Sequence, residues 1–178
     1  MSLIHKALIG PYRGIDPQID PSAYITETAV IRGDVVIGAH TSIWHHVLIR
    51  GDVNTIRIGS GTNIQDGTVV HVSRTPTGQT VIGDNITIGH QALIHACELQ
   101  NDCFIGMKAC VMDGAVVESF AMVAAGSLVT PNKIVRSGEL WMGSPARFVR
   151  KLTEDDLKHM RENAIEYRMV ANNYTGKS

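Results

Sequence analysis

Three histidines, His71, His90 and His95, are the residues whose type and spacing point most directly to chemistry. Neutral imidazoles are a standard ligand set for a catalytic zinc ion, with the fourth position left to water. The stretch IGHQALIHAC (88–97) carries two of them five residues apart. That spacing fits no simple element. On a strand, residues an odd number apart point to opposite faces. On a helix, five steps of roughly 100° leave two side chains about 140° apart. Either the imidazoles are unrelated or the architecture brings them together in another way.

A repeat supplies that architecture. Ile19, Ile25, Ile31, Ile37, Ile43 and Ile49 recur every six residues, and the series resumes at Ile58, Ile64 and Val70, then at Ile82, Ile88 and Ile94. A last run is Ile105, Val111, Val117, Val123 and Val129. Every member is β-branched, which suits strands. A period of six excludes an amphipathic helix and is too regular for ordinary sandwich strands. It describes a short strand and a corner, with one aliphatic side chain per repeat buried only by stacking on its neighbours, which makes a solenoid. Three repeats close one triangular turn.

The register then places the histidines. His71 and His95 each follow a column residue directly, Val70 and Ile94. SRTPTGQT (73–80) interrupts the column with Pro76 and Gly78 and reads as a loop excursion. With six residues of it excluded, the two histidines are one full turn apart and stack about 4.8 Å from each other, a separation that suits two ligands of one metal. Arg50 follows Ile49, and a three-residue insertion at DVNTIRI puts it in the same file one coil earlier. His90 lies two places after Ile88, on another side of the prism, in register with Asp66. Within one subunit it is badly placed to complete the site, whereas in a threefold ring the side of a neighbour can supply it. Asp66 and Gln65 are candidates to hold a ligand's second nitrogen or a water, the outer support that metal sites require. The competing reading is hydrogen bonding at a β-helix corner. His45 and His46 have no shared partner in the register and read as surface or interface residues.

The rest of the chain sets the frame. At 178 residues with a formal charge of −1 it reads as a single structural domain without the basic footprint of a nucleic-acid binder. Aromatic residues make up 5%, too few for a stacking platform. No apolar run approaches a membrane span, and MSLIHKALIGPYRG is a poor signal peptide. Three cysteines without CxxC spacing fit reduced thiols in the cytoplasm. Residues 1–152 form the solenoid and 153–178 the tail. There GSPARF leads into a helix expected over 153–173, opened by Thr153 and Asp156 in a near capping box. Leu157, Met160, Ala164, Tyr167, Ala171 and Tyr174 share one face of it, laid along the solenoid.

RGDVNTIRIGSGTNIQDGTVVHV followed by IGHQALIHAC resembles the gamma class of carbonic anhydrases within the hexapeptide-repeat proteins. Arg50, Gly51, Asp52, the run Asn63–Gly67, His71, His90 and His95 carry the resemblance, which extends over nearly the whole chain. It implies a left-handed parallel β-helix, although parallel connections in general favour the right hand. It also implies a homotrimer with a catalytic metal at each subunit interface, His71 and His95 from one chain and His90 from the next. Arg50 and Asp52 would pair across that interface, and Gln65 would lie near the reacting water. Tyr167 and Asn163 would reach the pocket from the last helix. Zn²⁺ is the default ion for imidazoles, with Fe²⁺ or Co²⁺ as alternatives. The implied reaction is hydration of carbon dioxide to bicarbonate. The sequence departs from the family in its proton-exporting acids: Val53 stands where a glutamate is expected, and SRTPTGQT carries no acid. Slow turnover is therefore expected. Acyl transfer from an acyl-CoA, with a histidine as general base, and a non-catalytic metal-binding or assembly role remain alternative readings.

Overall fold

The computed structural model describes residues 7–176. Residues 1–6, which carry part of the leader reading, and the last two of the tail lie outside them. The chain winds as a left-handed parallel β-solenoid of about seven turns, followed by a single helix. Each side of the prism is a ladder of short parallel strands in successive coils. The first side includes Leu48–Arg50, Val69–His71, Leu93–His95 and Cys110–Val111. The second includes Thr80–Ile82, Glu98–Leu99, Val116–Val117 and Ile134–Val135. The third runs from Tyr24–Ile25 through Asn63–Ile64, Thr87–Ile88, Phe104–Ile105 and Met122–Val123 to Glu139–Gly143.

Burial follows the six-residue column. Ile31, Ile43, Ile49, Ile64, Val70, Ile88, Ile94, Ile105 and the four valines 111, 117, 123 and 129 are completely shielded from solvent. Ile19 and Ile25 in the first coil are only partly covered. Small residues beside the column, such as Ala92, Ala109, Ala115 and Ala121, are buried with it. Corners that join the sides place several non-glycine residues in the left-handed region, among them His40, Asn85, Gln91 and Asn132.

Three irregularities decide where side chains land. First, Val30–Ile37 and Leu48–Ile58 are long strands that each serve two sides of the prism. The extra residues of the second are absorbed where Gly33 pairs with Gly51 but Val35 pairs with Ile56. Second, the loop 73–79 leaves the coil and returns, its stem tied by Asn54, whose amide donates to Ser73 O and Thr75 O at 3.2 and 3.0 Å. Third, Leu99 belongs to the buried column although it follows Ile94 by five residues, a one-residue deletion that a count by sixes passes over.

The segment expected as a lead into the helix is a strand pair. Glu139–Gly143 and Ala146–Lys151 run antiparallel, so the third side ends in a reversed strand. Arg150 of that strand meets Asp156 at 2.6 Å and ties it to the helix start. The helix spans Glu154–Thr175, two residues beyond the expected end. Its capping box is complete: the Thr153 hydroxyl accepts from Asp156 N–H, and the Asp156 carboxylate accepts from Thr153 N–H at 2.7 Å. Arg150 first, and then the Thr153 backbone, hold the Asp156 carboxyl far below the ordinary carboxylate range. Met160, Ala164 and Ala171 are the buried residues of the helix, which lies on the third side against Ser42–Ile43, Asn63–Ile64 and Thr87–Ile88. Tyr174, counted on the packed face, is 65% exposed. Among the described residues no helix is long and apolar enough to cross a membrane.

Candidate metal centre

His71 and His95 are direct partners in neighbouring coils of the first side, at the outward position that follows the buried column. Their rings lie 5.2 Å apart with a 54° tilt, and His71 Nδ1 faces His95 Nε2 at 3.2 Å. Two imidazole nitrogens bound to one tetrahedral zinc at about 2.0–2.1 Å would be separated by about 3.3 Å, so the facing pair fits a shared ion. The outer nitrogens are also occupied. His71 Nε2 lies 3.1 Å from Asp52 Oδ1, and His95 Nδ1 lies 2.7 Å from Asp113 Oδ1.

The surroundings of the pair favour neutral imidazole at His71. Burial pushes its pKa down, and the hydrogen bond to Asp52 does not overcome that. The neutral form is the one that can donate a lone pair to a metal. Burial pushes the Asp52 carboxyl up, but hydrogen bonds from His71 and Arg50 outweigh it and leave the group below its ordinary range. Arg50 and Asp52, expected to pair across an interface, make an ion pair within one chain. Asp52 also accepts the Val53 N–H at 2.8 Å.

Asp113 escapes the sequence reading because no motif includes it. The register could have found it, since it lies two places after Val111, one coil beyond His95 and one residue further along. His90 occupies a corner of the third side, stacked on Asp66 with Nδ1 2.9 Å from Oδ2. Each of the three histidines thus has its own carboxylate, Asp52, Asp66 or Asp113. Within one chain, however, His90 does not join the other two. Among the described residues no three His, Cys, Asp or Glu side chains form a metal-holding group.

A buried polar relay runs from Gln65 to the helix. Gln65 Nε2 donates to Asn63 Oδ1 at 3.0 Å, and Asn63 Nδ2 donates to the Thr87 hydroxyl at 2.9 Å. That hydroxyl donates to Asn163 Oδ1 on the helix at 3.0 Å. The relay leaves Gln65 Oε1 and the Asn163 amide N–H groups free. Gln65, His90, Asn163 and Tyr167 border one cleft. Tyr167 packs edge-on against Trp44 with centroids 5.5 Å apart, and burial, followed by the charge of Asp66, raises its hydroxyl pKa. His45 stands apart from this group, its Nδ1 3.1 Å from the Thr28 hydroxyl. Cys97 and Cys103 are buried and unpaired, with thiols that burial pushes strongly up, so neither is poised as a nucleophile.

The solenoid, its six-residue column and its outward histidine pair define a hexapeptide-repeat protein of the left-handed β-helix class. No protein-family model matches the chain. A carbonic anhydrase of Geobacillus kaustophilus is 43% identical over 160 residues, covering 90% of this chain and 87% of that protein. Gamma carbonic anhydrase 2, mitochondrial, of Arabidopsis thaliana is 47% identical over 167 residues, covering 92% of this chain. The chain spans 60% of that plant protein's length. Among solved structures, a hexapeptide transferase family protein from Anaplasma phagocytophilum is 48% identical, with a TM-score of 0.90 over 94% of this chain and 98% of that one. The chain belongs to the gamma carbonic anhydrase-like hexapeptide-repeat family.

Proposed function

We propose that the protein hydrates carbon dioxide to bicarbonate at a metal held by His71 and His95 of one chain and His90 of its neighbour in a homotrimer. The observation that carries this reading is the facing pair of His71 and His95 nitrogens at 3.2 Å, backed by Asp52 and Asp113. A divalent ion bound there, Zn²⁺ or alternatively Fe²⁺ or Co²⁺, supplies the Lewis acidity that brings ionisation of water near neutral pH. The chain's own residues do the rest. Asp52 and Asp113 hold the imidazole rings in place. Gln65, fixed by Asn63, offers Oε1 as an acceptor toward water, and Asn163 and Tyr167 offer donors from the helix. The three unpaired thiols support a cytoplasmic setting.

Elemental analysis of protein purified without chelator, followed by hydration and acetyl-CoA consumption assays, tests this reading. Metal with hydration supports it. Acetyl-CoA consumption without hydration would favour acyl transfer. Bound metal with neither activity would point to a binding or assembly role.

Two expected outcomes arise here. Asp113→Asn should weaken metal binding about 10- to 100-fold, because the second nitrogen of His95 loses its charged acceptor. Chelator competition measures this, and unchanged affinity would assign Asp113 to the surface. The second concerns the proton released at each turnover. Residue 53 is valine and the loop 73–79 contains no titratable carboxylate or histidine. Hydration should therefore accelerate with imidazole buffer concentration. A fast rate that ignores buffer would reveal an internal shuttle elsewhere.

A further inference from the structure

Two arginines of the helix, Arg161 and Arg168, stand without a charged partner beside a corner of the prism. Arg50, Arg57, Arg136 and Arg150 each meet a carboxylate. Arg161 and Arg168 have neither an ion pair nor a hydrogen-bond partner among the described residues. Seven residues apart, they share one helical face, about 10.5 Å from each other along the axis. The corner they overlook joins the second side to the third, and successive coils place His40, Gly61, Asn85 and Asp102 along it. It lies opposite the first side, which carries His71 and His95, while His90 belongs to the other edge of the third side. This seam is therefore separate from the metal centre and faces away from a ring closed through it.

Arg168 is part-buried and lies over Gly61, where a Cβ would stand 3.4 Å from its Nη1. Gly61 has φ 65°, so the corner there is free of a side chain and the guanidinium can approach it closely. Both arginines border a pocket of about 180 Å³, with Asn85 and Asp102 as its corner wall and buried Met160 and Ala164 behind them. That volume is below the roughly 300–1,000 Å³ of sites for larger organic ligands and suits a small ion.

Charge decides which ion. The neighbouring carboxylate, Asp84, is spent on the Ser60 N–H at 2.6 Å. Asp102 is the carboxylate that borders the pocket, against two guanidiniums. The surplus positive charge attracts an oxyanion, and a guanidinium fork matches phosphate oxygens bidentately. Asp102 adds a selection, because an ionised carboxylate only accepts hydrogen bonds. It repels a bare oxyanion but accepts the O–H of one that still bears a proton. Hydrogen phosphate keeps that proton near neutral pH, whereas sulfate has none. A phosphate monoester, with a second pKa of about 6, has mostly lost it.

We propose that this seam binds inorganic hydrogen phosphate between Arg161, Arg168 and Asp102, joining the helix to the corner of the solenoid. The inference goes beyond the hydration reading and does not rest on it.

Calorimetric titration at about pH 7.5 and constant ionic strength tests it, with phosphate, sulfate, glycerol 3-phosphate and bicarbonate as ligands. Phosphate should bind at least about tenfold more tightly than any of the other three. The same affinity should appear in His71→Ala, which disables the metal centre. Arg168→Gln should weaken phosphate about tenfold or more, because a hydrogen bond between charged groups is lost. Asp102→Asn should instead strengthen sulfate binding and erase the preference for phosphate, a gain that misfolding cannot produce. Absence of phosphate binding, or equal binding of phosphate and sulfate, would overturn the proposal. Binding that ignores Arg168→Gln or disappears in His71→Ala would place the ion elsewhere and overturn it too. Tighter binding of bicarbonate, or of a hexaglutamate peptide, would assign the seam to a different partner and equally sink it.

Discussion

Chains carrying His71→Ala and chains carrying His90→Ala, each unable to hold metal alone, are expected to recover metal when unfolded together and reassembled. His71 and His95 face each other on the first side, while His90 stands on the third side against Asp66. A shared site takes its facing pair from one chain and its third imidazole from the next. In any mixed ring of three, one interface joins an intact pair to an intact His90. Random mixing at equal amounts should therefore restore about one quarter of the wild-type metal content. The control is a mixture of His71→Ala with His95→Ala chains. Both lesions fall in the same facing pair, so no arrangement of subunits rebuilds a complete set and no metal should return. Recovery in both mixtures, or in neither with mixed rings confirmed by mass spectrometry, would falsify the division of ligands between subunits.

Leu99→Ala should be among the most costly single substitutions in the solenoid. Leu99 is completely buried, while Glu98 beside it on the same strand is exposed. Truncating a buried leucine costs about 2–5 kcal/mol, through lost transfer energy and the cavity left behind. For a chain of this size each kcal/mol lowers the melting temperature by about 2–4 °C. Glu98→Ala should change stability by less than about 0.5 kcal/mol. Thermal unfolding of the two variants decides it. A small loss at Leu99 would mean that the coil closes over the gap or that the register differs here.

That residue also shows where sequence reading stops. Isoleucines and valines at intervals of six declare the solenoid, because a narrow prism has room for one aliphatic side chain per repeat. Once insertions at DVNTIRI and SRTPTGQT are removed from the count, the same register aligns His71 with His95 and His90 with Asp66. A deletion leaves no insert to remove, so Leu99 disappears from a count made by sixes. Asp113 is hidden for a different reason. Its contact with His95 is diagonal, one coil on and one residue along, and depends on side-chain reach as well as on register. The relay from Gln65 to Asn163 is harder still, since it joins residues 98 positions apart through the docking of the helix. The strand at 146–151 carries no hexapeptide signal, because it runs antiparallel to 139–143, which itself still stacks in parallel on Met122–Val123.

That reversed pair has a consequence for how the molecule ends. A parallel solenoid offers its last coil as a template on which another chain could continue the winding, and repetition of that step would build a fibre. Ala146–Lys151 blocks the third edge with a strand running the wrong way for such growth. The other two edges finish in the two-residue strands Leu128–Val129 and Ile134–Val135. Continued winding by parallel addition is thereby blocked on the third side.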